Sequence, residues 1–107
     1  LVFHRAEPMP VQAAEYHNTT GEGILAMDDD VVIHVAPPSG DPVPELTEAF
    51  VVPKGTMVHL NLGMWHYGGW CLNREEVHVL IVLPQRIYKN DCTVVHYAEE
   101  EWTEIVL

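Results

Sequence analysis

Short runs rich in β-branched and aromatic residues recur along the chain, and turn-forming residues separate them. Helical periodicity is almost absent, and this combination is typical of a β-sandwich or a β-barrel. The sequence therefore predicts an all-β fold. The predicted strands are Val11–His17, Gly23–Met27, Asp30–Ala36, Glu48–Val52, Met57–Leu60, Glu76–Leu83 and Thr93–Ala98, with a further short strand at Thr103–Val106.

Three polar or proline-rich segments predict connections between these strands. Asn18–Gly21 has the composition of a tight turn and is predicted to join the first two strands into a hairpin. Pro37–Pro42 cannot continue a strand, because proline removes a donor from the ladder, and it is predicted to be a surface loop. The charge run Asp28–Asp30 is predicted to be a solvated turn rather than a cation site.

Strand alternation places neighbouring side chains on opposite faces of a sheet. In the first predicted strand, one face carries Val11, Ala13, Glu15 and His17. If the small apolar residues at its start point inward, Glu15 and His17 point into the same cavity, where burial without a partner is costly. A metal, a substrate or another polar side chain would satisfy them. The residues predicted to contribute to buried faces elsewhere are Val31, Ile33, Val35, Val79 and Ile81.

Length and composition suit a single domain over residues 1–107, since 107 residues with 48% hydrophobic content can form one continuous core. The net charge of −11 would repel a phosphate backbone, so we expect no nucleic-acid partner. The apolar runs are shorter than the roughly 20 residues of a membrane-spanning helix, and the first residues lack the layout of a signal peptide. We expect a soluble, cytoplasmic protein with Cys71 and Cys92 as free thiols.

Two spaced motifs carry the candidate chemistry. The segment from Gly55 to His66 has the form G-x5-N-x-G-x2-H, and Glu15-x-His17-x4-Glu22 precedes it. Together they resemble the two motifs of the cupin superfamily, with Asn61 where the second motif has proline and Glu15 where the first has a histidine. The resemblance implies a single-domain, jelly-roll-like cupin β-barrel.

The spacing of these residues has a chemical meaning of its own. Residues i and i+2 of a strand put two donors on one face, a hairpin partner adds a third, and a strand across the barrel adds a fourth. Two imidazoles with one or two carboxylates suit divalent Mn, Fe, Ni or Zn. A pocket without metal could instead use Glu15 or Glu22 as a general base and a histidine as the acid. The four could also be polar strand residues that satisfy one another. We expect no organic cofactor.

From about Pro10 to its end, the chain also resembles the ureidoglycolate lyase (formerly hydrolase) family. The residues that carry this resemblance are His17 with Glu22, Ile24–Met27, the valine-rich strand to Ala36, Ala49-Phe50, Gly63-x-Trp65-His66, Val79–Ile81 and Asn90–Cys92. It implies a homodimeric cupin that splits ureidoglycolate into glyoxylate and urea in purine breakdown. Family members commonly carry Trp-His-His where this chain has Trp65-His66-Tyr67, so a phenol replaces one imidazole of the pocket.

The motifs and the resemblance together suggest roles in a lyase step. His17, Glu22 and His66 hold the metal or the substrate. Glu15 is a further ligand or the base that takes the proton of the carbinol hydroxyl, and Tyr67 is the candidate acid for the departing nitrogen.

Three further residues are candidates for substrate binding. His59 lies on a strand that approaches the second motif, and Lys54 could hold a substrate carboxylate, although a turn position suits this lysine as well. Trp65 could belong to an aromatic rim over a small ligand, and core packing fits it equally well. His34 and His78 lie among apolar strand residues, and we expect both rings to point to solvent.

The sequence leaves three functions open. The protein is a lyase of the ureidoglycolate type, another metal-dependent small-molecule cupin enzyme such as a sugar-acid isomerase, or a non-catalytic module that only binds a ligand. Each of them has a small molecule as its partner. Because small β proteins tend to cover exposed strand edges by association, we also expect a homodimer.

Overall fold

The computed structural model describes all 107 residues and consists of β-strands with a few short helical turns. The strands are β1 (Val2–His4), β2 (Met9–Val11), β3 (Ala13–Tyr16), β4 (Glu22–Ala26), β5 (Val31–Ala36), β6 (Glu48–Val52), β7 (Met57–Leu60), β8 (Trp65–His66), β9 (Trp70–Cys71), β10 (Glu76–Val82), β11 (Thr93–His96) and β12 (Thr103–Ile105). The helix α1 (Ile87–Asn90) and two 3₁₀ turns, Pro44–Leu46 and Glu99–Glu101, lie between them. The predicted all-β fold is confirmed.

Ten strands form one large sheet, and β2 pairs with β12 in a separate small one. The large sheet has the order β11-β3-β8-β5-β9-β1-β10-β4-β7, with β6 added on β5. Its pairs are antiparallel except for β1 with β9. Strands β4 and β5 are not paired, yet their side chains pack in one core, so the sheet folds over on itself. The arrangement is a cupin-like barrel or sandwich.

The main core forms because alternate residues of facing strands turn apolar side chains inward. Val77 and Val79 of β10 are buried in the same cluster as Ile24 of β4. Removing each such side chain from water stabilises the fold by about 1.5–3 kcal/mol. The predicted burial of Val31, Ile33, Val35 and Val79 is confirmed, and Ile81 is partly buried against the same core.

Strand β5 is buried along its whole length because both of its faces are covered. His34 in the middle of this strand is consequently only 4% exposed. The expectation that its ring points to solvent was wrong, because β5 has no solvent-facing side. The same expectation for His78 is confirmed, because its side chain is 65% exposed on the outer face of β10.

The first predicted strand differs from the structure in its continuity and in its partner. The strand is interrupted at Gln12, and the segments on either side of it, β2 and β3, belong to different sheets. The predicted hairpin is wrong, because β3 pairs with β8 and β11 while β4 pairs with β7 and β10. Asn18–Gly21 instead crosses between two parts of the sheet. The Asp91 carboxylate fixes the crossing by accepting hydrogen bonds from the backbone N–H groups of Asn18 and Thr19 and from the Thr19 hydroxyl.

The two other predicted connections are confirmed. Pro37–Pro42 contains no strand and lies at the surface. Asp28–Asp30 forms the turn between β4 and β5, but its residues are half-buried because they bond within the protein. Asp30 accepts a hydrogen bond from the backbone N–H of Lys54, and Asp28 accepts one from the backbone N–H of His78. None of the helical segments has the length and apolar character that a membrane crossing requires.

Candidate functional site

A cavity of about 510 Å³ opens at one side of the barrel. The polar side chains on its walls are Glu15, Glu22, His66, Tyr67, Tyr88 and Cys92. They come from elements that are far apart in sequence, and the fold of the sheet brings these elements together.

Two strand pairs place the ionisable groups. Glu15 of β3 lies directly opposite His66 of β8 in the antiparallel ladder, which sets their Cβ atoms about 4.5–5.5 Å apart. His17 follows the end of β3, two residues after Glu15, so alternation turns it toward the same side. Glu22 is the first residue of β4 and comes from the other part of the sheet.

Glu15, His17 and Glu22 all lie close to His66. His66 Nε2 lies 2.7 Å from Glu22 Oε2 and 3.7 Å from Glu15 Oε1. The ring centroids of His17 and His66 are 5.2 Å apart. One ligand atom from each of Glu15, His17 and His66 lies within 4.8 Å of the others, a spacing that could hold a metal ion.

Backbone carbonyls orient both imidazole rings. His17 Nδ1 lies 2.9 Å from the carbonyl oxygen of Asp91, and His66 Nδ1 lies 3.0 Å from that of Met64. A carbonyl oxygen only accepts, so each Nδ1 carries the proton and donates. In the neutral rings the lone pair is therefore on Nε2, which is the atom that faces the other site residues. This arrangement, with one nitrogen held by an acceptor and the other left for a ligand, is characteristic of metal-binding histidines.

Three buried atoms of the site have no hydrogen-bond partner, namely His17 Nε2, Glu22 Oε2 and His66 Nε2. Two of them face each other, because His66 Nε2 lies 2.7 Å from Glu22 Oε2, and a proton on the ring would join them in a charged pair. Burying polar atoms without partners costs free energy, and most such atoms in proteins are satisfied. A divalent cation beside the two rings would satisfy His17 Nε2 and take the place of that proton, and nitrogen and carboxylate oxygen atoms are suitable ligands for it. The residues present fit a metal ion.

The neighbouring carboxylates set the protonation of His66. Burial lowers the pKa of His66, but the contact with Glu22, the carbonyl oxygen of Met64 and the charge of Glu15 together raise it by more. The net result is a pKa above the ordinary histidine value. Without an ion, the two glutamates therefore favour the protonated ring, and an ion would take the place of that proton.

The thiol of Cys92 donates a hydrogen bond to one carboxylate of the site. Its Sγ donates to Glu15 Oε2 over 3.0 Å, which leaves Glu15 Oε1 directed toward His66. Burial and then the adjacent Glu15 raise the pKa of the Cys92 thiol to about 12. The thiol is thus protonated at neutral pH and acts as a donor rather than a nucleophile.

Two phenols lie on the walls of the cavity. Tyr67, the candidate acid, is one of them, next to His66 in sequence. Tyr88 of α1 is the other, and its ring meets that of His17 edge-on with centroids 6.3 Å apart. Burial, followed by the charges of Glu22 and Glu15, raises the pKa of Tyr88, so this hydroxyl also remains a donor.

The sequence arguments missed Tyr88, Cys92 and the orienting role of Asp91. These residues follow no metal-ligand spacing, and they lie in and after a one-turn helix that periodicity does not reveal. The one available signal was the Asn90–Cys92 segment in the family resemblance.

The structure does not bring Trp65, His59 and Lys54 to the cavity, which corrects their assignment to substrate binding there. Trp65 is 1% exposed and packs in a second core cluster, because alternation turns it away from the face of His66. Its Nε1 donates to Ser39 Oγ over 3.0 Å. His59 is exposed because its neighbours in β7 turn inward. Lys54 is exposed in the turn between β6 and β7.

Comparison with known families finds one that covers almost the whole chain. The family model described as Ureidoglycolate lyase matches residues 2–104. No curated protein matches the chain. The match therefore includes every residue of the site.

Proposed function

Because the chain belongs to the ureidoglycolate lyase family, we propose that it is a lyase that cleaves the carbon–nitrogen bond of ureidoglycolate or of a close carbinolamide. From ureidoglycolate the products are glyoxylate and urea, as in purine breakdown. The observation that carries the proposal is the convergence of Glu15, His17, Glu22 and His66 beside one cavity. Cleavage of a carbinolamide needs a base, an acid and a group that holds the hydroxyl, and this site offers candidates for each.

We assign His17, His66 and Glu22 as the ligands of a divalent ion such as Mn, Fe, Ni or Zn, and Glu15, whose carboxylate also lies within 4.8 Å of both rings, as the base. In both rings Nδ1 is held by a carbonyl oxygen, which leaves Nε2 free to bind an ion. Neither Nε2 atom nor Glu22 Oε2 has a hydrogen-bond partner. A bound ion supplies Lewis acidity, which lowers the pKa of the carbinol hydroxyl and fixes its orientation.

Glu15 is the base of the proposed reaction. Cys92 occupies its Oε2, so Oε1 is the oxygen that takes the hydroxyl proton. As the proton leaves, the carbon–oxygen bond becomes a carbonyl and the electrons of the carbon–nitrogen bond pass to nitrogen. Tyr67, on the wall of the same cavity, donates a proton to that nitrogen, and urea departs.

Release of glyoxylate from ureidoglycolate tests this proposal. With Mn or Zn supplied, we expect release by the parent protein, and we expect Glu15→Gln to lower kcat by about 100-fold or more, the usual contribution of a general base. Glu15→Gln should retain its metal, whereas His66→Ala should lose both metal and activity. His59→Ala is the matched control, because this histidine lies outside the cavity.

Three outcomes would contradict parts of the proposal. Loss of metal from Glu15→Gln would make Glu15 a ligand instead of the base. Equal rates in the parent and His66→Ala would show that the site is not the catalytic one. No release by the metal-supplied parent would remove the ureidoglycolate reaction.

We also propose that the protein acts as a homodimer in the cytoplasm, where its two free cysteines would stay reduced. The outer face of the sheet supports pairing. Leu80, Leu25 and Met57 are aligned across β10, β4 and β7, and Leu80 and Met57 are about half exposed. Light scattering at micromolar concentration should give twice the chain mass, and Met57→Lys should shift it toward the monomer. A monomeric mass for the parent would contradict pairing.

A further inference from the structure

Two adjacent residues between α1 and β11 hold the assigned metal ligand and the assigned base. They are Asp91 and Cys92. The backbone carbonyl oxygen of Asp91 accepts a hydrogen bond from His17 Nδ1 over 2.9 Å. The thiol of Cys92 donates to Glu15 Oε2 over 3.0 Å. One residue of the pair therefore contacts the ligand, and the next contacts the base.

The carboxylate of Asp91 holds the backbone beside His17 as well. It accepts hydrogen bonds from the backbone N–H of Asn18 over 2.9 Å and from that of Thr19 over 2.7 Å, and the Thr19 hydroxyl also donates to it. Asn18 directly follows His17. Asp91 thus binds the ring of His17 through its carbonyl oxygen and the peptide groups after His17 through its carboxylate. With ring and backbone both fixed by one residue, the direction of Nε2 is fixed too.

The pair is itself fixed from both sides. The N–H of Asp91 donates to the carbonyl oxygen of Ile87 over 2.8 Å, and the buried side chain of Ile87 anchors α1. On the other side, β11 begins at Thr93, which pairs with Tyr16 of β3. Packing and the ladder therefore set the positions of Asp91 and Cys92, and these two residues in turn impose positions on the site.

We propose that Asp91 and Cys92 are positioning residues with separate tasks. Asp91 sets the metal affinity through His17, and Cys92 sets the rate of the chemical step through Glu15. This proposal rests on the proposed function and extends it to residues that act through other side chains. The tasks are separate because one contact orients a ring nitrogen and the other orients a carboxylate oxygen.

Replacing Asp91 by alanine is expected to weaken Mn or Zn binding by about 10–100-fold, the usual cost of losing a group that orients a metal ligand. Asp91→Asn keeps one acceptor oxygen and should recover most of that affinity. Competition with a chromophoric chelator gives the affinities. The nitrogen chemical shifts of the His17 ring in the metal-free proteins give a readout that needs no ion. The neutral ring should carry its proton on Nδ1 in the parent and on either nitrogen in Asp91→Ala.

Asp28 offers a matched control. Its carboxylate likewise accepts a hydrogen bond from a backbone N–H and lies next to a ring nitrogen, both of them in His78. Asp28 does not line the cavity. Asp28→Ala should therefore keep the metal affinity and kcat of the parent, even where it lowers the free energy of unfolding. A loss of affinity confined to Asp91→Ala is then not an effect of general destabilisation.

Replacing Cys92 by alanine is expected to lower kcat for ureidoglycolate by about tenfold or more, because Glu15 loses the donor that orients it and catalysis is sensitive to small misplacements. KM and the metal affinity should stay near the parent values, since the contact of Asp91 with His17 is untouched. Cys92→Ser supplies a hydroxyl donor and should recover most of the kcat. Glyoxylate release at saturating metal gives kcat and KM for each variant.

The outcomes separate this proposal from the proposed function. No glyoxylate release by the metal-supplied parent would overturn the lyase reaction and with it the role of Cys92, while the metal affinities and ring tautomers decide the role of Asp91. In an active parent, unchanged metal affinity in Asp91→Ala would overturn the role of Asp91, and unchanged kcat in Cys92→Ala that of Cys92. Equal losses of affinity in the two variants would contradict the separation of tasks. Should Asp91→Ala fail to fold, a His17 ring protonated on Nε2 in the metal-free parent would exclude the role of Asp91.

Discussion

Replacing His17 by alanine is expected to weaken divalent metal binding by more than about 100-fold. Loss of a group that merely orients a ligand costs about 10–100-fold, so loss of the ligand itself should cost more. His17 is 3% exposed, and its Nδ1 is held by the carbonyl oxygen of Asp91. Its Nε2 is buried without a partner, so an ion is the group that best explains the position of the ring.

Metal affinity can be measured by competition with a chromophoric chelator, and thermal unfolding gives an independent readout. An ion that binds only the folded state raises the melting temperature of the parent as its concentration increases, and the His17→Ala variant should show almost no such rise. His59→Ala, which removes an exposed histidine, should behave like the parent. Equal metal affinity in His17→Ala and the parent would exclude His17 as a ligand.

The sequence predicted the strands that carry a strong apolar pattern. Predicted strands Glu48–Val52 and Met57–Leu60 match β6 and β7 in both of their bounds. Strand β10 was found to within one residue because Val77 and Val79 alternate with polar residues at its start and an apolar run follows. The two-residue strands β8 and β9 were not predicted, since a segment so short has no period to detect.

Pairing was harder to predict than the strands themselves. The composition of Asn18–Gly21 fits a hairpin turn, and local propensity cannot distinguish a hairpin from a crossing between sheet parts. The hydrogen bonds that hold this segment as a crossing are accepted by Asp91, more than 70 residues away in the chain. His34 illustrates the same limit, because the cover over the second face of β5 comes from distant segments.

Motif spacing was informative for the site because it rests on strand geometry. Glu15 and His17 share a side as alternation requires, and the structure adds His66 as the direct neighbour of Glu15 across the ladder. The candidates chosen only for their residue type, Trp65, His59 and Lys54, lie outside the cavity. A suitable side chain near a motif carries little information unless the strand period turns it toward the same face.

Lowering the pH from 7 to 4 is expected to reduce the free energy of unfolding by up to about 3 kcal/mol through His34. Burial, followed by the charge of His66, lowers the pKa of His34 from 6.5 to about 4, although a hydrogen bond with the backbone of Tyr67 partly opposes this. The unfolded chain gains a proton at this residue as the pH falls through 6.5, whereas the folded protein gains it only near pH 4. The stabilisation is thus present above pH 6.5 and is lost between pH 6.5 and 4.

His66 acts in the opposite direction, because its pKa is raised and its contribution is lost as the pH rises through that value. A comparison of the parent with His34→Gln isolates the His34 effect, provided that a chelator keeps both proteins free of metal. In urea unfolding, the free energy of unfolding of the parent minus that of His34→Gln should fall by about 3 kcal/mol from pH 7 to pH 4. Should the variant fail to fold, NMR titration of the His34 ring in the parent gives the same answer. A His34 ring that titrates near 6.5 in the folded protein would contradict the prediction. Its pKa would then be the same in the folded and unfolded states, and protonation of the ring would not change the free energy of unfolding.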